Sequence, residues 1–300
     1  MGRRIAVIDV GTNTIRLLVS DVDEGLIAPI YTDKALVRLG RDLALNGQFS
    51  EELLGHVTRT LARMAAKAEE LGAQPIRLLA TSASREAANG SELAARARAA
   101  TGIELEIIGE EEEARLAFTG ALNSLVEPWE GDVGVVDVGG GSTEIVVGSA
   151  RAGIGWARSF PLGSGRLTDA YVVNDPPGPS EIAAMRRQID EVLPPTGEIP
   201  RPLHATAVAG SASNLRRLVG PLLDLEAINR ALRITCDEPS ERIAQHFDID
   251  PERARILPAG ALILHACSVR LGEPLWFSRG GIREGAVLEI AGVAGVTWQR

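Results

Sequence analysis

Apolar residues in this chain fall into short β-branched runs cut off by glycine and into stripes three or four residues apart, which predicts alternating strands and helices. Ile5-Ala6-Val7-Ile8 is the first such run and reads as a buried strand. A polar turn, Asp9-Val10-Gly11-Thr12-Asn13, leads into Thr14-Ile15-Arg16-Leu17-Leu18-Val19, so the opening is a hairpin. Ser50 stands where a helix N-cap belongs, with Glu51 and Glu52 behind it. Leu53, Val57, Leu61, Met64, Ala68 and Leu71 then recur at helical spacing until Gly72 ends the helix. Strands are expected over 76–80 and 103–108, and helices over 92–100 and 110–125. The uncharged stretch 256–269 contains Pro258 and His265 and is too short to cross a bilayer, so it reads as a buried helix and no membrane contact is expected.

The opening pattern returns further on. Gly134-Val135-Val136-Asp137-Val138-Gly139 runs into Gly140-Gly141-Ser142-Thr143 and the strand Glu144-Ile145-Val146-Val147. Asp9 aligns with Asp137, Val10 with Val138, Gly11 with Gly139 and Val19 with Val147, each 128 residues later. A strand–turn–strand unit repeated at domain spacing predicts two similarly built α/β halves rather than a solenoid. Chance likeness between two glycine-containing hairpins is the competing explanation. The boundary is expected within 123–131, which contains Pro128, and the proline-rich stretches 175–179 and 194–202 are loops inside the second half.

Composition narrows the function. Three hundred residues suit two domains, and 45% hydrophobic with 24% charged residues excludes a disordered chain. A net charge of −9 with only 4% aromatic residues leaves neither a basic field nor stacking platforms, so no nucleic acid is expected as partner. A polyanionic substrate would have to be held by local groups against the overall charge. Cys236 and Cys267 form no CxxC pair, and Asp9 breaks the apolar run after Arg3-Arg4 before it could serve as an export signal. A reduced, cytoplasmic setting is the expectation.

The two Asp-x-Gly turns suit phosphate. Glycine lets backbone approach closely, and successive N–H groups beside Thr or Ser hydroxyls can point at anionic oxygens. The aspartate in each turn would repel bare phosphate and makes sense beside a divalent cation. Either turn alone reads better as a tight hairpin; two at equivalent places, the second extended through Gly139-Gly140-Gly141-Ser142-Thr143-Glu144, favour phosphate. A third glycine–hydroxyl turn, Ala209-Gly210-Ser211-Ala212-Ser213-Asn214, precedes a helical stretch whose N-terminus could hold an anion. The chain has no GxGxxG or P-loop pattern, and His56, His204, His246 and His265 are isolated, which leaves no paired-histidine metal motif. The run Glu110-Glu111-Glu112-Glu113 opens a helix, where carboxylates are favourable and mostly solvated, but four successive positions point in different directions.

Taken in order, residues 8–19 (IDVGTNTIRLLV), 80–87 (ATSASREA), 112–118 (EARLAF preceded by Glu112) and 137–144 (DVGGGSTE) resemble the exopolyphosphatase/guanosine pentaphosphate phosphohydrolase (Ppx/GppA) family. Later segments extend the likeness over essentially the whole chain: 161–168 (PLGSGRLT), the GSASN turn, and 278–285 (SRGGIREG). The resemblance implies two ribonuclease-H-like, actin-like α/β domains with a cleft between them, one of 1–124 plus 285–300 and the other of 125–284. Long family members continue into a further helical domain that this sequence does not show. The acidic run carries one Glu more than the family spacing. Registering on Glu-Ala-Arg maps the catalytic glutamate onto Glu113, with Glu112 as second choice.

The implied reaction is hydrolysis of a terminal phosphoanhydride, with inorganic polyphosphate or pppGpp as substrate and Mg²⁺ or another divalent cation as cofactor. Glu113 would activate water, and Arg85 would balance phosphoryl charge. Asp137 and Glu144, with Asp9, would hold the metal. Gly11, Thr12, Asn13 and Thr14, with Gly139, Gly140, Gly141, Ser142, Thr143, Gly210 and Ser211, would cradle phosphates. Arg16, Arg166 and Arg283 are secondary candidates. A homodimer is the assembly left open. An actin-like sugar or acetate kinase shares the DxG turns, and a non-catalytic phosphate sensor is the remaining alternative; the carboxylates at 113, 137 and 144 favour hydrolysis over both.

Overall fold

A computed structural model of the chain describes residues 2–125 and 127–293. Within them the chain divides into two compact units, one built from residues up to Asn123 together with the segment from Ile282, the other from Ser124–Gly281. The sequence places the first crossing at 124/125 and the return at 284/285; residues 294–300 of that return lie outside the described residues.

In the first unit, β1 (Arg3–Val10), β2 (Thr14–Asp23) and β3 (Leu26–Leu36) form an antiparallel meander, and β4 (Ile76–Ala80) and β5 (Leu105–Ile107) add in parallel beyond β1. The sheet order is β3-β2-β1-β4-β5. Strand β1 is apolar on both faces because both are covered. Ala6, Ile8 and Val10 pack with Leu54, Val57, Leu61 and Met64 of the Glu51–Glu70 helix. Ile5 and Val7 pack instead with Leu116 of the Glu110–Asn123 helix and with Ala286 and Val287 of the Ile282–Ala291 helix. Those two helices meet closely: a Cβ on Gly285 would lie 2.1 Å from the Leu116 carbonyl oxygen, so only glycine fits.

The second unit repeats the plan. Strands β6 (Val133–Val138), β7 (Thr143–Ser149) and β8 (Gly153–Phe160) are antiparallel, β9 (His204–Val208) runs parallel to β6, and β10 (Leu222–Leu223) and β11 (Leu275–Phe277) complete the order β10-β11-β9-β6-β7-β8. Its core gathers around the Leu257–Leu271 helix, which is buried along most of its length, as its largely apolar sequence requires; the buried Arg270 in its last turn donates to the Pro194 carbonyl and to Asp190. No described helix is long and apolar enough to cross a membrane. Two α/β units, each with an antiparallel hairpin followed by parallel strands, make this the ribonuclease-H-like arrangement that the resemblance implies.

The repeat holds residue by residue. Asp9 pairs across the hairpin with Arg16, and Asp137 pairs with Glu144 at the matching place. The turns close alike, the Gly11 N–H donating to the Thr14 carbonyl and the Gly139 N–H to the Ser142 carbonyl, each at 3.0 Å.

Candidate functional site

Each hairpin turn is anchored from behind by its carbonyls. The Thr12 carbonyl accepts from the Gly40 N–H (2.9 Å), and the Asn13 carbonyl accepts from the N–H groups of Val37 and Arg38. Arg38 adopts a left-handed φ of 55° to make this turn, and a Cβ on Gly40 would stand 2.4 Å from the Thr12 methyl. In the second unit the Gly139 carbonyl accepts from the Ser164 N–H (3.0 Å) and the Gly140 carbonyl from the Arg166 N–H (2.9 Å). Arg166 also donates through Nε to the Gly141 carbonyl (3.0 Å). With the carbonyls engaged, the N–H groups of Thr12, Asn13, Gly140 and Gly141 have no protein acceptor among the described residues. Successive unused N–H groups on a glycine-rich turn form an anion-binding concavity.

Not every hydroxyl assigned to phosphate is available for it. Thr143 is buried and donates to the Leu162 carbonyl, so it serves the fold. Gly210 and Ser211 are not in a turn before a helix: they sit in the first turn of the Ala209–Val219 helix, entered through Ala209 at a left-handed φ of 64°. Ser211 spends its hydroxyl on the Val138 carbonyl (3.1 Å), and both residues are buried. Extended β9 runs straight into the helix, leaving no residues for a loop. Thr12, Thr14 and Ser142 are largely buried beside their turns.

Glu113 lies in the first turn of the Glu110–Asn123 helix and is only 4% exposed. A buried carboxylate requires a paired cation, and Arg85, at the end of the Ser82–Glu86 helix, supplies it: Nη1 donates to Glu113 Oε2 at 2.6 Å and to the Ile108 carbonyl at 2.8 Å. Glu112 faces elsewhere. It chelates Arg115, with Nε and Nη2 at 2.9 and 2.8 Å, in a network that also includes Arg77, Glu106 and Glu289.

The second carboxylate pair is Asp137 and Glu144, directly opposite on β6 and β7 and exposed by 5% and 1%. Like charges at opposed positions repel, and burial sharpens the repulsion. Glu144 Oε1 accepts from the Ser159 hydroxyl at 2.8 Å. A divalent cation fits this donor set. Among the described residues no three His, Cys, Asp or Glu side chains cluster to hold a metal. Two carboxylates with water completing the shell is the way proteins hold Mg²⁺.

Asp9, the third predicted ligand, belongs to the first unit. Burial pushes its carboxyl above the ordinary range, Arg283 and Arg16 pull it back, and Glu284 adds to the upward push. Its Oδ1 is enclosed without a hydrogen-bond partner.

One repeated signal in the sequence lies outside the hairpins. Ala80-Thr81-Ser82-Ala83-Ser84 and Ala209-Gly210-Ser211-Ala212-Ser213 share the pattern Ala-x-Ser-Ala-Ser, and each follows the central parallel strand of its sheet. Aligning them puts Arg85 opposite Asn214, so the arginine that holds Glu113 has no counterpart in the second unit.

The similarities to known proteins converge. Residues 18–293 match the model of the Ppx/GppA phosphatase family. Exopolyphosphatase 2 of Mycobacterium tuberculosis is 31% identical, over 96% of this chain and 99% of its own. Exopolyphosphatase 1 of Mycobacterium leprae is 29% identical, over 95% and 88%. Among solved structures, an exopolyphosphatase from Cytophaga hutchinsonii superposes with a TM-score of 0.85 at 27% identity, covering 98% of this chain and 100% of the other. The Ppx/GppA family member of Aquifex aeolicus gives 0.78 at 25%, covering 97% and 98%. With the doubled hairpin-and-parallel-strand plan, the buried Glu113–Arg85 pair and a family match along nearly its whole length, the chain belongs to the Ppx/GppA phosphatase family.

Proposed function

We propose that the chain is an exopolyphosphatase, hydrolysing the terminal phosphoanhydride of inorganic polyphosphate and releasing orthophosphate. The observation that carries this reading is the buried Glu113 carboxylate held by Arg85, in a chain whose exopolyphosphatase relatives match it over 95% or more of its length. Phosphoryl transfer asks a protein mainly for positioning and charge neutralisation. Glu113 orients the attacking water and takes its proton. Arg85 fixes that carboxylate through Nη1, and its remaining guanidinium N–H groups offer countercharge to the phosphoryl oxygens. Asp137 and Glu144 would hold Mg²⁺, which when bound would neutralise charge on the anhydride. The unused N–H groups of Thr12 and Asn13 in the first unit, and of Gly140 and Gly141 in the second, are donors suited to phosphate oxygens.

The test is orthophosphate release from short polyphosphate, long polyphosphate and pppGpp, each with and without Mg²⁺. Turnover of polyphosphate that collapses on chelation is the expected result. Preferential turnover of pppGpp would overturn the substrate assignment, and full activity in the presence of a chelator would overturn the metal assignment.

A further inference from the structure

The Ala209–Val219 helix starts where β9 ends, and its Ser211 hydroxyl is bonded to the Val138 carbonyl, one residue before the Gly139–Ser142 turn. The matching helix of the first unit, Ser82–Glu86, is shorter: aligned on the Ala-x-Ser-Ala-Ser repeat, Ala87 just beyond it stands opposite Arg216. The longer helix thus carries side chains that the first unit lacks, and two of them are arginines. Arg217 is engaged, donating to the carbonyls of Phe247 and Asp248 and pairing with the Asp248 carboxylate at 3.1 Å. Arg216 is not. Its guanidinium lies 4.7 Å over the ring of Phe277, the last residue of β11, and meets no acceptor among the described residues.

Arg216 is half-buried, with Nε enclosed and the Nη groups open to solvent. Stacking on an aromatic ring uses the face of a guanidinium and leaves its edge, where paired N–H donors match the oxygens of a phosphate. The Phe277 N–H donates to the Pro221 carbonyl at 2.8 Å, so the ring beneath the arginine is held in place. Ser213 stands three residues before Arg216, on the same side of the helix, and its half-buried hydroxyl has no partner among the described residues. Strands β6, β9 and β11 run parallel, and Phe277 lies at their carboxyl ends, where open α/β sheets take ligands. Five residues of helix, roughly 7.5 Å of rise, separate Ser211 from Arg216. That distance suits a phosphate further along a chain rather than the one at the turn.

We infer that Arg216, oriented by Phe277 and joined by Ser213, is a second phosphate subsite of the Ser124–Gly281 unit, taking an inner phosphate of a polyphosphate chain whose end lies at the Gly139–Ser142 turn. Arg216 is on this account a binding residue that sets preference for chain length, with no part in the chemical step. The inference rests on the polyphosphate reading of the site.

Steady-state kinetics on the full chain, with tripolyphosphate and with long polyphosphate, test it. Arg216→Gln is expected to raise KM for the long chain about tenfold, with kcat and the tripolyphosphate KM within about twofold of wild type. Arg217→Gln removes an equal charge one residue away and should move neither KM, which separates a local contact from the field of the whole molecule. Phe277→Leu keeps the charge but removes the ring that orients it, so the long-chain KM should rise by a smaller factor, about threefold. An unchanged long-chain KM in Arg216→Gln, or an equal rise in Arg217→Gln, overturns the inference. Should Arg216→Gln not fold, an unchanged long-chain KM in Phe277→Leu overturns it instead. Loss of orthophosphate inhibition in Arg216→Gln with the long-chain KM unmoved would assign the site to free orthophosphate and reject the chain assignment. Calorimetric binding of long polyphosphate to Glu113→Gln protein keeps the subsite apart from the proposed function: adding Arg216→Gln should weaken that binding about tenfold, with no turnover involved. A wild type that binds long polyphosphate without hydrolysing it defeats the proposed function alone, and one that binds none defeats both.

Discussion

Glu112 and Glu113 are neighbours in sequence with different surroundings. Glu113 is buried against Arg85, whereas Glu112 is partly exposed and chelated by Arg115. Glu113→Gln keeps the size and one hydrogen bond from Arg85 but cannot accept a proton, so kcat should fall by about 10²-fold or more with KM little changed. Glu112→Gln loses one partner of a solvent-screened pair, worth about 1 kcal/mol or less, and should leave kcat within about twofold of wild type. Parallel steady-state kinetics on the two variants check this, and the reverse pattern would move the base by one residue. At this scale the sequence was informative about residue types and poor on company. The Glu-Ala-Arg register pointed to Glu113, but nothing local in sequence says that Glu112 meets Arg77 or shares Arg115 with Glu289, both from remote segments. Nor could spacing tell that the hydroxyls of Thr143 and Ser211 are spent on carbonyls.

Among the elements, those with apolar periodicity were legible and those without it were not. The Ser50 cap is present, its hydroxyl accepting from the Leu53 N–H, and β4 occupies 76–80. Strand β3 and the Leu39–Asn46 helix are not legible in the sequence. Strand β3 lies at the edge of its sheet with most side chains turned to solvent, contains Pro29, and faces a register shift between Val19 and Ser20, so it shows no alternation. The Leu39–Asn46 helix is eight residues long and begins without a side-chain cap. The meeting of the Glu110–Asn123 and Ile282–Ala291 helices turns on Gly285. Helix propensity alone would make Gly285→Ala stabilising by about 1 kcal/mol. The added methyl, however, would meet a backbone oxygen at 2.1 Å, which cannot rotate away. Overpacking of this kind costs about 1–3 kcal/mol, so the net expectation is a lower Tm and a lower denaturation midpoint. A stabilised variant would show that the helix pair can separate without loss.

For the molecule as a whole, charge is the governing quantity. A net charge of −9 opposes a polyanion, and several arginines that could relieve it are committed internally. Arg85 holds Glu113, Arg166 holds the Gly141 carbonyl, and Arg217 donates to the carbonyls of Phe247 and Asp248. Lengthening the substrate should therefore stop improving kcat/KM after a few phosphates, and hydrolysis should be distributive. Partly shortened chains would then be visible on a gel throughout the reaction, and KM should rise only shallowly with salt, because few ionic contacts are there to be screened. Only full-length polymer and orthophosphate at mid-reaction would contradict this. The doubled architecture itself was readable from Asp9 and Asp137. That Asp9 faces Arg16 where Asp137 faces Glu144 is seen only once register shows the two positions to be equivalent.

The Ile282–Ala291 helix also sets a timetable for synthesis. It covers Ile5, Val7, Leu18 and Leu79, and its Glu289 joins Arg77 and Arg115 while the Ile290 carbonyl receives Arg3. During translation the first unit emerges first yet lacks this cover until residue 291 has been made, whereas Ser124–Gly281 is continuous and can fold as soon as it is out. At about 5–20 residues per second, the interval leaves an apolar sheet face open for roughly ten seconds or more. The earlier half of the chain is therefore the later to be completed, and a nascent protein stalled before residue 282 should present that face to chaperones.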